Sequence, residues 1–335
     1  MPEATINSPG AAVLEKPSPR KNGNHLSFWG KVKRDKFLLL IFLPGALYFI
    51  LFKYLPMFGI IIAFQDYNAF TGIAGIFDVN NFVGLTQFSK LFTSQEFYRI
   101  LWNTVVLNIL SWACGFPFPI IFALVLNEAK GKLFKKTTQT ISYLPHFISL
   151  VIVAGMVISF LSPSEGFIGQ AIKMFTHNPQ SLLDSPNAFR VIYIVTRIWT
   201  GFGWSAIIYL AALSGVDPQL YEAATIDGAT RFQRMLHITI PSLLPTIVVV
   251  LILDLGSLMS SEFDLVYLLQ TDLNLKSSEV ISTFVYKYGI GGTGASTLPQ
   301  YSYTTAVNLF QSVINLILVV SANTISKKVS EISLW

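Results

Sequence analysis

Residues 222–241 read EAATIDGATRFQRMLHITIP, a largely polar stretch with aliphatic runs on both sides. Just before it, Asp217 suits a helix N-cap, Pro218 suits the first helical position, and Gly228 suits a left-handed turn at the helix C-terminus. A second helix is expected over ATRFQRMLHITI, ending at Pro241, whose ring disrupts a continuing helix. Two short helices that meet at a glycine predict a compact docking element.

The rest of the chain is strongly apolar. Of its 335 residues, 52% are hydrophobic and 12% are charged, and the mean hydropathy is +0.56. A soluble domain carries about 25% charged residues, so this chain has too few charges to cover a globule in water. The composition therefore indicates an all-α integral membrane protein. The single cysteine excludes a disulfide framework, and the four histidines show no metal-ligand spacing, so no metal site is expected.

Six stretches are long enough to cross about 30 Å of hydrocarbon as helices. Prolines interrupt several of them, which neighbouring helices in a bundle tolerate by satisfying the freed backbone groups. The predicted spans are 37–60, 99–126, 138–161, 188–213, 242–267 and 303–325.

The distribution of Lys and Arg orients these spans. Fifteen lie in the N-terminal tail, the loops 127–136 and 214–241, and the C-terminus, whereas six lie in the longer loops on the other side. The positive-inside rule then predicts that both termini, and the docking element in 214–241, face the cytoplasm.

The predicted organisation has three parts. Residues 1–36 are rich in Pro, Asn, Ser, Gly and Lys and lack an apolar signal core, so a disordered cytoplasmic tail is expected. Residues 37–326 form the transmembrane domain, which includes the docking loop, defined here as residues 214–241. Residues 327–335 form a C-terminal cytoplasmic tail. The alternative for the docking loop is an amphipathic hairpin that lies on lipid headgroups.

The docking loop also carries a family resemblance. Glu222-Ala223-Ala224, then Gly228, then Ile238-Thr239-Ile240-Pro241 resembles the EAA signature of permease subunits in binding-protein-dependent ABC importers, with Ile240 where Leu is usual. The stretches FKYLPMFGIIIAFQDYN, TISYLPHFIS and the terminal SLW extend the resemblance over nearly the whole chain from residue 37. They are similar to the subfamily for complex oligosaccharides, which includes the first permease of alginate and plant-polysaccharide importers.

The resemblance implies a type I, MalF-like core of six transmembrane helices. It also implies three kinds of partner: a second homologous permease, two ATPase subunits and an extracytoplasmic solute-binding protein. ATP and Mg would be bound by the ATPases and no cofactor by this chain, which would not be an enzyme. The implied location is the bacterial cytoplasmic (inner) membrane. The residues implied to couple the loop to the ATPase are Glu222, Ala223, Ala224, Asp227, Gly228, Ile238 and Pro241.

Polar side chains inside the predicted spans are candidates for a substrate pathway, because ionisable groups are costly in lipid and tend to face a wet cavity or a partner. Asp254, Ser257, Ser261 and Asp264 are expected on one face of the fifth helix. Amides and carboxylates bind sugar hydroxyls and aromatic faces stack on sugar rings, so the set suits an oligosaccharide. The remaining candidates are Asn103, Asn108, Arg197, Trp199, Trp204, Tyr209, Asn308, Ser312 and Asn315.

Other roles stay open at this stage. The same polar faces can simply hold helices together, and Arg197 can pair with Asp254 or Asp264 or meet a uronate carboxylate. A secondary transporter is the main alternative function, although no clear inverted repeat is present. A membrane enzyme would need a charged constellation, for which only the acids Glu262, Asp264 and Asp272 are clustered. The glycine-rich stretch 288–297 lacks the lysine of a phosphate-binding loop.

Overall fold

The computed structural model describes residues 34–67, 69–176, 181–290 and 298–330. Within these ranges every regular element is helical, apart from one isolated antiparallel bridge between Gln65 and Phe82. The predicted tail up to residue 33, most of the glycine-rich stretch and the terminal SLW lie outside the described residues. The chain divides into two compact units, one ending at Phe58 and one beginning at Gly59.

The first unit, described from residue 34, is helix α1, Lys36–Phe49, followed by a π-helical turn, Ile50–Tyr54, and a single α turn, Leu55–Met57. None of its side chains is buried. An apolar helix of this kind is suited to a surrounding of lipid or of other apolar helices.

The second unit begins with short 3-10 turns and continues as fourteen α-helices within the described residues. These are α2 (Thr86–Thr93), α3 (Gln95–Gly115), α4 (Pro117–Glu128), α5 (Lys132–Tyr143), α6 (Leu150–Leu161), α7 (Phe167–Thr176), α8 (Pro186–Ser214), α9 (Pro218–Ile226), α10 (Arg231–Arg234), α11 (Ile240–Gly256), α12 (Phe263–Leu269), α13 (Leu275–Ser278), α14 (Ile281–Gly289) and α15 (Tyr301–Ser330).

The described residues contain five helices that are long and apolar enough to cross a membrane, or six if one bent pair counts as a span. With the bent pair counted as one span, they correspond one to one, and in the same order, with the six predicted spans. Their bounds are Lys36–Phe64, Gln95–Glu128, the pair Lys132–Phe147 with Leu150–Leu161, Pro186–Ser214, Arg231–Gly256 and Tyr301–Lys328.

The third span is interrupted at a proline, as the sequence predicts. Its two halves meet at 97°. Pro145 lies in a 3-10 turn, Leu144–Phe147, and the next two residues, Ile148 and Ser149, have extended backbones before α6 begins. The proline has no N–H to donate and its ring obstructs a continuing α-helix, so the chain turns at this point.

The expectation of a single fifth helix over 242–267 was wrong, because α11 ends at Gly256 and α12 begins at Phe263. Side chains of α15 satisfy the backbone in the gap. Asn315 accepts a hydrogen bond from the Met259 N–H at 3.0 Å, and Gln311 donates to the Met259 carbonyl at 2.7 Å. We call residues 257–262 the break segment.

Helix α8 lies at the centre of the second unit. Its buried residues recur every three or four positions from Phe189 to Leu213, so one face of the helix is covered along its length. Tyr193 belongs to one apolar cluster and Tyr209 to another. At Gly203, an added methyl group would overlap the carbonyl oxygen of Ser142 in α5, so these helices are in close contact.

Polar contacts fix the segment 270–280 against the beginnings of α3 and α8. Asn274 is fully buried and donates to the carbonyls of Leu183 and Leu269 at 2.9 and 3.0 Å. Arg99 pairs with Glu279 at 2.5 Å, and Glu279 is 7% exposed. This segment is therefore a rigid support, because breaking its contacts would leave buried polar groups unpaired.

We predict that Asn274→Ala lowers the free energy of unfolding by about 2–4 kcal/mol, since two buried carbonyls lose their donor. Chemical denaturation of the detergent-solubilised protein measures the change. Asp272→Ala is the control, because Asp272 is exposed, and it should change stability by less than about 0.5 kcal/mol. Equal effects of the two variants would contradict the supporting role of Asn274.

Candidate functional site

A cavity of about 580 Å³ lies within the second unit. Its wall is contributed by α3 and α4, the kink of the third span, α8, the end of α11 and the break segment. We call it the central cavity. Its lining residues are Asn108, Ser111, Trp112, Gly115, Phe116, Pro119, Pro145, His146, Ile148, Leu150, Arg197, Ile198, Thr200, Gly201, Phe202, Ser205, Tyr209, Val250, Asp254, Ser257, Leu258, Ser260, Ser261 and Glu262.

One guanidinium and two carboxylates face this cavity. Arg197 comes from α8, Asp254 from α11 and Glu262 from the break segment, and all three side chains are half-buried. The guanidinium is near enough to both carboxylates to interact with their charges. Among the described residues, however, no carboxylate oxygen lies within 4.0 Å of it. The cavity thus has one guanidinium and two carboxylates that interact without a closed ion pair.

Six of the predicted pathway residues line the central cavity, namely Asn108, Arg197, Tyr209, Asp254, Ser257 and Ser261. Ser257 and Ser261 reach it from the break segment and not from the helical face that the sequence predicted. The Asn108 amide nitrogen donates to the Ser261 hydroxyl at 3.1 Å, so this bond connects α3 with the break segment.

The other predicted pathway residues lie elsewhere. Asn103 is buried and donates to the carbonyls of Lys276 and Glu279. Asn315 holds the break segment, and Trp204 stacks on His146 with ring centroids 4.7 Å apart. Exposed side chains outside the cavity account for the rest: Trp199, Asp264, Asn308 and Ser312.

Sequence reasoning missed two polar residues of α3 that line the cavity, Ser111 and Trp112. Both follow Asn108, at i+3 and i+4, and therefore share its helical face. This spacing from Asn108 predicts that both residues line the same cavity. A single serine or tryptophan in an apolar helix does not by itself indicate a polar site. In the part of the chain that the structure describes, no three His, Cys, Asp or Glu side chains form a group suited to a metal ion.

The docking loop has the two-part structure that the sequence predicted. Asp217 caps α9 by accepting a hydrogen bond from the Gln219 N–H at 2.9 Å. At the other end Gly228 has φ +78°, and the N–H of Ala229 donates to the Ala224 carbonyl at 2.9 Å. This left-handed turn with a 6→1 hydrogen bond is a Schellman ending, in which glycine avoids backbone strain.

The second half of the loop is tied back to the first. Thr230 and Gln233 form a capping box at the start of α10, and Arg234 donates to the Thr225 hydroxyl in α9. The Tyr221 and Thr239 hydroxyls lie 3.1 Å apart. These contacts make residues 217–239 a structured unit.

The expectation that this second helix ends at Pro241 was wrong. A π-helical turn, Met235–Thr239, follows α10 and leads directly into α11, so one helical run extends from Arg231 to Gly256. The wider turn and the position of Pro241 at the start of α11 allow the chain to pass the proline, whose missing N–H would otherwise leave a gap in an α-helix.

The outer surface of the docking loop combines charge with exposed apolar groups. Glu222 is exposed, Ile226 is 86% exposed and Phe232 is 66% exposed. Exposed large apolar side chains on a well-ordered polar element are typical of a protein–protein contact surface.

Comparison with known proteins decides the family. Residues 115–331 match the family model described as binding-protein-dependent transport system inner membrane component. The chain belongs to this family. It is a permease subunit of an ABC importer, which confirms the six-crossing permease fold.

The permease is also similar to two individual proteins of Bacillus subtilis. It is 46% identical over 301 residues to the polygalacturonan/rhamnogalacturonan transport system permease protein YteP of Bacillus subtilis, covering 90% of this chain and 91% of the relative. It is 42% identical to protein LplB of the same organism, covering 93% and 95%.

Two solved structures resemble the permease closely. One is a bacterial ABC transporter that imports the acidic polysaccharide alginate, with 38% identity, a TM-score of 0.79, and coverage of 90% of this chain and 99% of that chain. The other is a bacterial alginate ABC transporter in complex with an alginate pentasaccharide-bound periplasmic protein, with 38% identity, a TM-score of 0.81, and coverage of 92% and 99%.

We predict that Arg197→Gln lowers the amount of folded permease in the membrane, because Asp254 and Glu262 then lack a nearby cation in a partly desolvated cavity. A second substitution, Asp254→Asn, should partly restore that amount. Quantitative immunoblotting of membrane fractions gives both values. If the double variant is no better than Arg197→Gln alone, the charges are not coupled.

Proposed function

We propose that this permease forms, with a second homologous permease, the membrane pathway of an ATP-driven importer for oligosaccharides. Acidic plant or algal saccharides that contain uronates are the favoured class. The observation that carries the proposal is the central cavity, where hydroxyl, amide, carboxylate and guanidinium groups meet aromatic rings inside the family's fold. Its volume is in the range of small-molecule sites, about 300–1,000 Å³. The similarity to a polygalacturonan permease and to alginate importers supports the same class.

The proposal places the docking loop at an ATPase subunit. Two ATPases supply the ATP and Mg chemistry, and an extracytoplasmic solute-binding protein delivers the saccharide. Support comes from the ordered loop with its exposed Ile226 and Phe232, and from a solved alginate importer bound to its periplasmic protein. The coupling residues inferred from the sequence, Glu222 to Ala224, Asp227, Gly228, Ile238 and Pro241, stay predictions.

The same proposal fixes the location as the bacterial cytoplasmic membrane, with both termini and the docking loop on the cytoplasmic side. The bias of Lys and Arg toward these segments supports this orientation.

The requirement for ATP tests the function directly. Proteoliposomes that contain this permease, its partner permease, the ATPases and external solute-binding protein should take up radiolabelled trigalacturonate only when ATP is enclosed. Uptake that persists without ATPase subunits would indicate a secondary transporter instead.

We predict that Glu222→Ala and Gly228→Val each lower ATPase activity stimulated by the loaded solute-binding protein about tenfold or more. The first removes the exposed carboxylate, and the second forces a β-branched residue into a left-handed backbone, which is strained. The matched control is Glu165→Ala, an exposed glutamate outside the docking loop. Normal coupled ATPase activity in both loop variants would contradict the assignment.

A cross-linking experiment tests the docking surface itself. Single cysteines at Ile226 or Phe232, in a Cys114→Ser background, should cross-link to cysteines on the co-purified ATPase. A cysteine at Val79, which is 84% exposed and lies outside the docking loop, should not. Failure of both loop positions to cross-link would place the docking surface elsewhere.

A further inference from the structure

The polar residues of α3 fall into two groups that differ in their hydrogen bonds. Asn103 and Thr104, in the first half of the helix, are buried and bonded to protein: Asn103 donates to two carbonyls, and the Thr104 hydroxyl accepts from the Ile281 N–H at 2.9 Å. One turn further along, Asn108, Ser111 and Trp112 line the central cavity. Each of these three has a buried side-chain atom without a hydrogen-bond partner in the described protein.

The three atoms are chemically complementary. Asn108 is 2% exposed, and because its amide nitrogen donates to Ser261, its Oδ1 is left as an acceptor. Trp112 offers only a donor, the indole Nε1–H, and the Ser111 hydroxyl can both donate and accept. Buried polar groups normally have partners, so three unpartnered atoms on one wall of one cavity indicate a site for a polar ligand.

The serine is the most informative of the three. A hydroxyl inside a helix usually donates a hydrogen bond to the carbonyl four residues earlier. Hydroxyl groups in α8 and α15 of this protein do so. The Thr196 hydroxyl donates to Ile192 at 2.7 Å, and the Ser312 hydroxyl donates to Asn308 at 2.9 Å. Ser111 is 4% exposed and makes no such bond. Its hydroxyl is thus available to form a hydrogen bond with a ligand in the cavity.

We propose that Asn108, Ser111 and Trp112 form a wall of α3 that recognises adjacent hydroxyl groups of a sugar ring as it passes through the central cavity. The inference rests on the proposed import of oligosaccharides and identifies residues that bind the sugar hydroxyls. A sugar hydroxyl donates and accepts at once, which matches an acceptor, a hydroxyl and a donor. From residue 108 to 112 the helix rises about 6 Å, so the three groups can contact one ring together.

This wall is uncharged and lies on a different element from the three ionisable groups. Arg197, Asp254 and Glu262 come from α8, α11 and the break segment. The cavity therefore has separate surfaces for two features of an acidic saccharide, with hydroxyls at α3 and the carboxylate at the charged side. Substitutions on α3 should therefore change the selectivity for hydroxyl pattern without altering the charged groups.

Substitutions on α3 test the proposal in the complete importer reconstituted in proteoliposomes. Ser111→Ala removes only the hydroxyl, and Trp112→Phe removes the N–H while keeping an aromatic ring. The probes are trigalacturonate and mono-O-methyl trigalacturonates, in which one hydroxyl at a time is blocked. Initial ATP-dependent uptake is measured for each probe at saturating solute-binding protein. That protein is the same in every sample, so its own selectivity cancels when variants are compared.

Each variant should take up trigalacturonate about threefold to tenfold more slowly, the effect of one lost hydrogen bond. For each probe we compare the uptake rate of trigalacturonate with that of the mono-O-methyl derivative. This ratio should fall toward one when the methyl group blocks the hydroxyl that the substituted residue binds. The matched control is Trp102→Phe, the same chemical change on the same helix at a residue that is 65% exposed and outside the cavity. It should keep the wild-type rate and ratio.

An unchanged ratio in both Ser111→Ala and Trp112→Phe overturns the proposal, whether or not uptake falls, because a purely structural role lowers uptake of all probes alike. A wild-type importer that shows no ATP-dependent saccharide uptake contradicts the proposed function itself, and the role of α3 falls with it. The two failures are distinguished by the wild-type sample.

Discussion

Backbone groups inside a membrane must find hydrogen bonds within the protein, because hydrocarbon supplies none, and the structure of the second unit depends on how its broken spans meet this requirement. The gap between α11 and α12 exposes the N–H and carbonyl of Met259. Both are taken up by amide side chains of α15, at Asn315 and Gln311. Without these amides, the N–H and the carbonyl of Met259 would lose their partners.

The break has a direct effect on the central cavity. Ser257, Ser261 and Glu262 all line the cavity from the break segment, whereas on a continuous helix Glu262 would lie on a different face from the two serines. The bond between Asn108 and Ser261 then joins the two walls. A polar chamber arises in an apolar bundle because two amides on one helix compensate for the missing turns on another.

Much of this arrangement was predictable from the sequence, and the failures share a physical reason. Hydropathy located all six crossings, and capping rules located both ends of α9, since each signal is local. The break after Gly256 depends on contacts with α15, which no local pattern records. Pro145 marks the interruption of the third span, but a proline does not by itself give the 97° angle between the two halves. The same limit explains why Asn103 and Asn315 are predicted as pathway residues although each is bonded to backbone of another segment. Ser111 and Trp112 differ, because their helical spacing from Asn108 is a local signal.

The contact between Gly203 of α8 and the Ser142 carbonyl of α5 constrains how the permease can move. A gap too narrow for one methyl group leaves no slack for sliding between these helices. They should therefore travel together as one rigid pair during a transport cycle. Widening or narrowing of the chamber then has to come from the opposite side, where an amide-to-hydroxyl bond joins Asn108 of α3 to Ser261 of the break segment.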